Sequence, residues 1–81
     1  MRLQIVVSPD CLGCDEAARI ADEIGTRIPG LEVELVELGR GAEPPPKVVA
    51  TPTYLLDGDP IFLGNPRRSA LLEALNRRAG S

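Results

Sequence analysis

Histidine and tryptophan are absent from this chain of 81 residues, and cysteine occurs only twice. A closed structural zinc site needs four ligands, usually cysteine or histidine, so one copy of the chain cannot supply them. Aromatic residues make up only 2% of the chain, although hydrophobic residues make up 43%. The core must therefore be built from leucine, valine, isoleucine and alanine rather than from large rings.

The sequence also lacks a strong positive charge and a long apolar run. Its net charge is −3, and neither half is basic enough to predict a nucleic-acid surface. No apolar segment is long enough to span a membrane, and the chain enters a strand pattern directly after Met1, without a small-residue cleavage site. We therefore expect a cytoplasmic protein without nucleic-acid or membrane partners, folded as a single domain over residues 1–81.

The hydrophobic pattern predicts an α/β chain in the order strand, helix, strand, loop, strand, strand, helix. The predicted strands cover residues 3–7, 31–38, 48–56 and 61–63. A strand, a helix and a strand in succession favour a parallel pair joined by a right-handed crossover. The tight turn predicted at Asp57-Gly58 makes the last two strands antiparallel.

Helix ends and helix faces can also be predicted. Ser8 or Asp10 is a candidate N-cap for the first helix, which Pro29-Gly30 ends, and Asn65-Pro66 is expected to open the last helix, which Gly80 ends. Apolar residues at helical spacing predict the buried side of each helix. They are Cys14, Ala17, Ala21, Ile24 and Ile28 in the first helix, and Leu71, Leu72, Leu75 and Ala79 in the last.

The sheet face away from the helices is expected to be wet, because Gln4, Glu32 and Glu34 fall on it. Val6 and Phe62 are predicted on the same face and do not suit water. An apolar patch on a polar face favours a docking or dimer surface, so we expect a monomer or a weak dimer.

Both cysteines lie in Cys11-Leu12-Gly13-Cys14, where the first strand turns into the first helix. Unpaired N–H groups and the positive end of the helix dipole favour a thiolate there, and a thiolate is the nucleophile of disulfide exchange. Because Cys14 falls on the packed stripe, Cys11 is the predicted attacking thiol and Cys14 the resolving thiol. Two alternatives are a pair of buried small hydrophobic residues, and half of a zinc or iron–sulfur site completed by a second chain or an outside thiol.

This arrangement resembles the thioredoxin-like superfamily, nearest to its small glutaredoxin-like and thioredoxin-like members. The resemblance covers nearly the whole chain and is carried by the two cysteines together with Ala-Thr-Pro-Thr-Tyr-Leu-Leu-Asp-Gly at residues 50–58 and Phe62-Leu63-Gly64. It implies a minimal thioredoxin-like fold, β-α-β-loop-β-β-α, with a four-stranded mixed sheet in the order 2-1-3-4. The middle helix is expected to be missing or reduced to one turn, because the Pro-rich loop at residues 39–47 is too short for a full helix.

The resemblance also implies a function. Cys11 and Cys14 would be the catalytic pair of a thiol-disulfide oxidoreductase, and Thr51 and Pro52, with a cis bond between them, would form the substrate platform. Its partners would be a disulfide-containing protein or small thiol and a reductant, with no cofactor. Arg67 and Arg68, at a helix N-terminus, are candidate contacts for a ligand carboxylate. The alternative is a non-catalytic binding module or a metal or iron–sulfur carrier on the same scaffold.

Overall fold

The computed structural model describes residues 1–39 and 43–79 of the chain, and these residues form four strands and two helices. The sheet order is β2-β1-β3-β4; β1 is parallel to β2 and antiparallel to β3, and β4 is antiparallel to β3. The α/β class and the mixed sheet order 2-1-3-4 are thus confirmed. The elements are β1 (Arg2–Val7), α1 (Cys14–Arg27), β2 (Glu32–Glu37), β3 (Thr53–Leu56), β4 (Asp59–Leu63) and α2 (Arg68–Ala79).

The segment between β2 and β3 contains no helix within its described residues, 38–39 and 43–52. Its hydrogen-bonded feature is a turn in which the N–H of Val48 donates to the carbonyl of Pro45 at 3.1 Å. Proline has no N–H and disfavours a helical conformation of the residue before it, so the run from Pro44 to Pro46 keeps this path open. The described residues of this segment thus form no middle helix, in line with the prediction that this helix is missing or reduced to one turn.

The β3–β4 hairpin turns at Asp57 and Gly58, which have φ angles of 48° and 88°. Positive φ at both central residues is the geometry of a type I′ turn, which matches the twist of the two strands it joins. The pairing of Leu56 with Asp59 leaves only these two residues in the loop. The predicted tight turn is confirmed.

Both helices pack on one face of the sheet and enclose an aliphatic core with a single buried ring, Tyr54. The apolar stripe predicted for α1 is buried or packed against this core, with Ile20 as an addition. In α2, Leu71 and Leu75 are fully buried, whereas Ala79 is exposed in the last turn, contrary to the prediction. The buried core residues are Leu3, Ile5, Val7, Cys14, Ala17, Ile20, Ala21, Ile24, Leu31, Tyr54, Leu56, Leu71 and Leu75.

The opposite face differs from the expectation at its two apolar residues. Val6 is fully buried in a small second cluster with Val48 and Leu55, so the loop after β2 covers it. Phe62 lies on the helix face, where its ring meets that of Tyr54 edge-on at 6.4 Å between centroids. An irregularity in the β3–β4 register next to Tyr54 shifts the alternation of β4, which explains the wrong placement of Phe62.

The polar part of that face is as predicted. Glu34 accepts a hydrogen bond from Arg2 at 2.8 Å and from Gln4 at 3.0 Å; Arg2 and Glu34 are exposed and Gln4 is half-buried. No helix within residues 1–39 and 43–79 is long and apolar enough to cross a membrane.

Both helix starts were predicted too early. The residue before α1 is Gly13, in a left-handed conformation and without a side-chain cap, so neither Ser8 nor Asp10 is the N-cap. The helix α2 begins at Arg68, so Asn65 does not cap it, and its side chain is used in a contact described below. The predicted stop at Gly80 lies outside the described residues.

Candidate active site

Cys11 and Cys14 form a disulfide at the turn between β1 and α1, with an S–S distance of 2.08 Å and a Cα–Cα distance of 5.5 Å. Cys14 is the first residue of α1 and is 9% exposed, while Cys11 precedes the helix and is only half-buried. Leu12, between them, is 97% exposed. The disulfide therefore lies at the tip of α1, with Cys11 on its open side.

Gly13 gives this turn its shape. Its φ of 89° favours glycine, and a Cβ placed there would lie 3.1 Å from the side-chain nitrogen of Asn65. The carbonyl of Gly13 accepts the first backbone hydrogen bond of α1, from the N–H of Ala17 at 3.0 Å. The N–H of Cys14 points back to the carbonyl of Cys11, at 3.4 Å. A side chain at residue 13 would thus disturb both the turn and its neighbour.

The Thr51-Pro52 segment lies beside the strand that leads to the cysteines. The peptide bond between the two residues is cis. The hydroxyl groups of Thr51 and Ser8 are hydrogen-bonded at 2.7 Å, and the carbonyl of Pro52 accepts the N–H of Gly64 at 2.8 Å. Thr51 makes no backbone–backbone hydrogen bond with another described residue. Its main-chain groups are therefore not used by the sheet.

A groove of about 440 Å³ runs past Thr51 on the side of the loop that follows β2. Its wall combines apolar and small polar residues, and Val49 on its rim is 84% exposed. Its lining residues include Ser8, Pro9 and Asp10, which lead into Cys11, and Val49, Ala50 and Thr51. The groove thus begins at the segment that leads into the disulfide.

Asn65 joins the cysteine turn to the sheet. Its side-chain nitrogen donates to the carbonyl of Gly13 at 2.8 Å, and its side-chain oxygen accepts the hydroxyl of Tyr54 at 2.8 Å. Burial raises the pKa of Tyr54 to about 12, so this hydroxyl keeps its proton and remains a donor at neutral pH. The turn that holds the disulfide is therefore tied to β3 two residues after Pro52.

A known protein is similar to this chain over nearly its whole length. No family model matches the chain. A thioredoxin of Methanocaldococcus jannaschii is 32% identical over an alignment of 84 residues, which covers 96% of this chain and 95% of that protein. The chain belongs to the thioredoxin family. Family membership and the disulfide between Cys11 and Cys14 together give it a thioredoxin-like redox role.

The two arginines singled out in the sequence have different surroundings. Arg68, in the first turn of α2, donates to Glu23 at 3.0 Å through Nε and to Glu16 at 3.1 Å through Nη2. Arg67 precedes the helix and is exposed. In this thioredoxin-family chain Arg68 therefore ties α2 to α1, and its carboxylate partners come from the chain itself.

This tie predicts a pH dependence of stability. The hydrogen bond from Arg68 holds the pKa of Glu23 below its usual value, so the contribution of the pair is present at neutral pH and is lost as the pH falls through that lowered pKa. We expect Arg68→Gln to lower the thermal midpoint more at pH 7 than at an acidic pH at which Glu23 is protonated. Thermal unfolding followed by circular dichroism at low salt measures both. Arg77→Gln is the matched control for the loss of one arginine charge, because Arg77 pairs with Glu73 inside α2 and does not join the two helices. Equal losses at the two pH values for Arg68→Gln would contradict the prediction.

Asn65 is the residue that the sequence did not assign to this site. The pattern Asn-Pro before a helix is typical of an N-cap, so the local sequence predicts a cap and gives no indication of the contact with Gly13. The strand order could have predicted this contact, because β1 and β4 end, and β3 begins, at the same end of the sheet. Residues 8–14, 51–52 and 64–65 must meet there.

Proposed function

We propose that the chain is a thiol-disulfide oxidoreductase in which Cys11 attacks and Cys14 resolves. The observation that supports this proposal is the disulfide at the tip of α1, where Cys11 lies on the open side and Cys14 is packed against the core. The thiolate of Cys11 attacks one sulfur of a substrate disulfide, forms a mixed disulfide and releases the first substrate thiolate. Cys14, as a thiolate, then attacks the sulfur of Cys11, closes the Cys11–Cys14 bond and releases the second. Two electrons pass from the protein to the substrate.

We propose Thr51 and Pro52 as the platform for the substrate. The backbone of Thr51 is not used by the sheet, so it can pair with the main chain of an extended peptide. The groove beside it and the exposed side chains of Leu12 and Val49 provide apolar contact area. This favours a peptide segment around a protein disulfide over a small thiol alone.

Arg67 is the arginine that we propose as a contact for a substrate carboxylate, because it is exposed at the start of α2. Arg68 would first have to leave Glu23 and Glu16. We further propose that a cellular reductant, a reductase or a thiol of the glutathione type, restores the dithiol. The cytoplasm is the compartment that fits a reducing cycle of this kind, with the protein acting as a monomer or weak dimer.

Reduction of an insulin-type disulfide in the presence of a dithiol tests the function. The protein is expected to accelerate the reaction well beyond the dithiol alone, and the same protein with both thiols alkylated is the control. The metal content and absorption spectrum of the purified protein are measured in parallel. No acceleration, together with stoichiometric zinc or the colour of an iron–sulfur cluster, would replace the oxidoreductase with a metal carrier.

A further inference from the structure

The amide of Asn65 lies between the redox turn and the sheet, and exchange chemistry at the two sulfurs does not by itself require it. We infer that Asn65 is a positioning residue that tunes the redox pair through the peptide group between Gly13 and Cys14. This inference rests on the proposed exchange by Cys11 and Cys14 and adds a determinant of its equilibrium. It is carried by two hydrogen bonds of 2.8 Å, one on each side of the amide.

The first step concerns the carbonyl of Gly13. It accepts two hydrogen bonds, one from the N–H of Ala17 at 3.0 Å and one from Asn65 at 2.8 Å. That carbonyl and the N–H of Cys14 belong to the same peptide group. A donor on the carbonyl polarises the group, which makes its N–H a stronger donor in turn. Asn65 therefore strengthens the N–H at the tip of α1.

The strengthened N–H faces the reactive residue. In the disulfide form it points to the carbonyl of Cys11, at the long distance of 3.4 Å. In the dithiol form, negative charge on the sulfur of Cys11 would lie beside this N–H and the unpaired N–H groups that follow it at the helix start. A more polarised N–H stabilises that thiolate, so Asn65 lowers the free energy of the reduced state relative to the oxidised state.

The orientation of the amide is fixed by its partners. A carbonyl can only accept a hydrogen bond, so the group facing Gly13 must be the NH₂ and the oxygen must face Tyr54. Tyr54 is fully buried in β3, and its hydroxyl keeps its proton at neutral pH. The buried ring thus anchors the exposed amide, and with it the distance between the cysteine turn and the strand that follows Pro52.

The test uses the 81-residue chain in its reduced and oxidised forms and three single variants. Asn65→Ala removes both hydrogen bonds, and Tyr54→Phe removes only the anchor. Asn76→Ala, on the exposed side of α2, is the matched control. The pKa of Cys11 is measured by thiol titration, and the dithiol–disulfide equilibrium is measured in glutathione buffers. Thermal unfolding establishes that each variant is folded.

We expect Asn65→Ala to raise the pKa of Cys11 and to shift the equilibrium toward the disulfide by up to about fourfold, because polarisation changes only part of the strength of one charge-assisted hydrogen bond. Tyr54→Phe should give a smaller shift in the same direction, and Asn76→Ala none. If Tyr54 acts through Asn65, the double variant Tyr54→Phe/Asn65→Ala should resemble Asn65→Ala alone. Should Asn65→Ala prove unstable, Tyr54→Phe still carries the test.

Two results would overturn the inference. One is a pKa of Cys11 and an equilibrium in Asn65→Ala that equal those of Asn76→Ala. The other is full additivity in the double variant, which would mean that Tyr54 does not act through Asn65. A wild-type protein that does not accelerate the reduction of an insulin-type disulfide would instead contradict the proposed exchange, and the titration of Cys11 would still decide the role of Asn65.

Discussion

Cys11→Ser is expected to abolish catalysed disulfide reduction, whereas Cys14→Ser should form a mixed disulfide that it cannot resolve. The difference follows from the positions of the two cysteines. Cys11 lies on the open side of the tip of α1, whereas Cys14 is the first residue of the helix and is only 9% exposed. A serine hydroxyl is not ionised near neutral pH, so Cys11→Ser loses the nucleophile and its rate should fall to that of the dithiol alone. Cys14→Ser retains the attack and loses only the second step.

The turbidity of reduced insulin measures the rate, and mass spectrometry of Cys14→Ser incubated with a disulfide substrate measures the adduct. The adduct should map to Cys11 and disappear when a dithiol is added. The double variant Cys11→Ser/Cys14→Ser is the control for non-specific association. An adduct on Cys14 of the Cys11→Ser protein, formed as fast as the adduct on Cys11, would reverse the assigned roles.

The architecture around these cysteines follows from local signals in the sequence. Alternating residues mark β2, the pair Asp57-Gly58 sets a two-residue hairpin, and the Pro44 to Pro46 run rules out a helix between β2 and β3. Each signal depends on the backbone preferences of a few neighbouring residues, which do not change with the rest of the fold. The cysteine spacing and Thr51-Pro52 also predict a site, which we propose at the end of the sheet where β1 ends and β3 begins.

Contacts between distant segments could not be read in the same way. Asn65 has the local pattern of a helix cap, and only the folded chain brings it within 2.8 Å of Gly13. Phe62 was assigned to the wrong face because one irregularity in the pairing of β3 and β4 shifts the alternation of side chains. In both cases tertiary geometry overrode a sound local preference.

The anchoring of α2 makes a second prediction with a large effect, because this helix follows the loop that carries Asn65. Leu71 is fully buried in the main core, whereas Leu63 on β4 is 66% exposed. Leu71→Ala should lower the free energy of unfolding by about 2–5 kcal/mol, since it leaves a cavity under α2. Leu63→Ala, the same chemical change on the surface, should stay within about 0.5 kcal/mol of wild type.

Urea unfolding of the oxidised proteins measures both values. A domain of this size has a total stability of roughly 5–10 kcal/mol, so the loss at Leu71 would remove a large part of it, while the loss at Leu63 would be hardly visible. Similar losses for the two variants would mean that α2 is not held by its buried face.

Because residues 64–67 connect β4 to α2, a loosened helix in Leu71→Ala should also weaken the contact of Asn65 with Gly13. The stability variant should then shift the glutathione equilibrium in the same direction as Asn65→Ala, and Leu63→Ala should not.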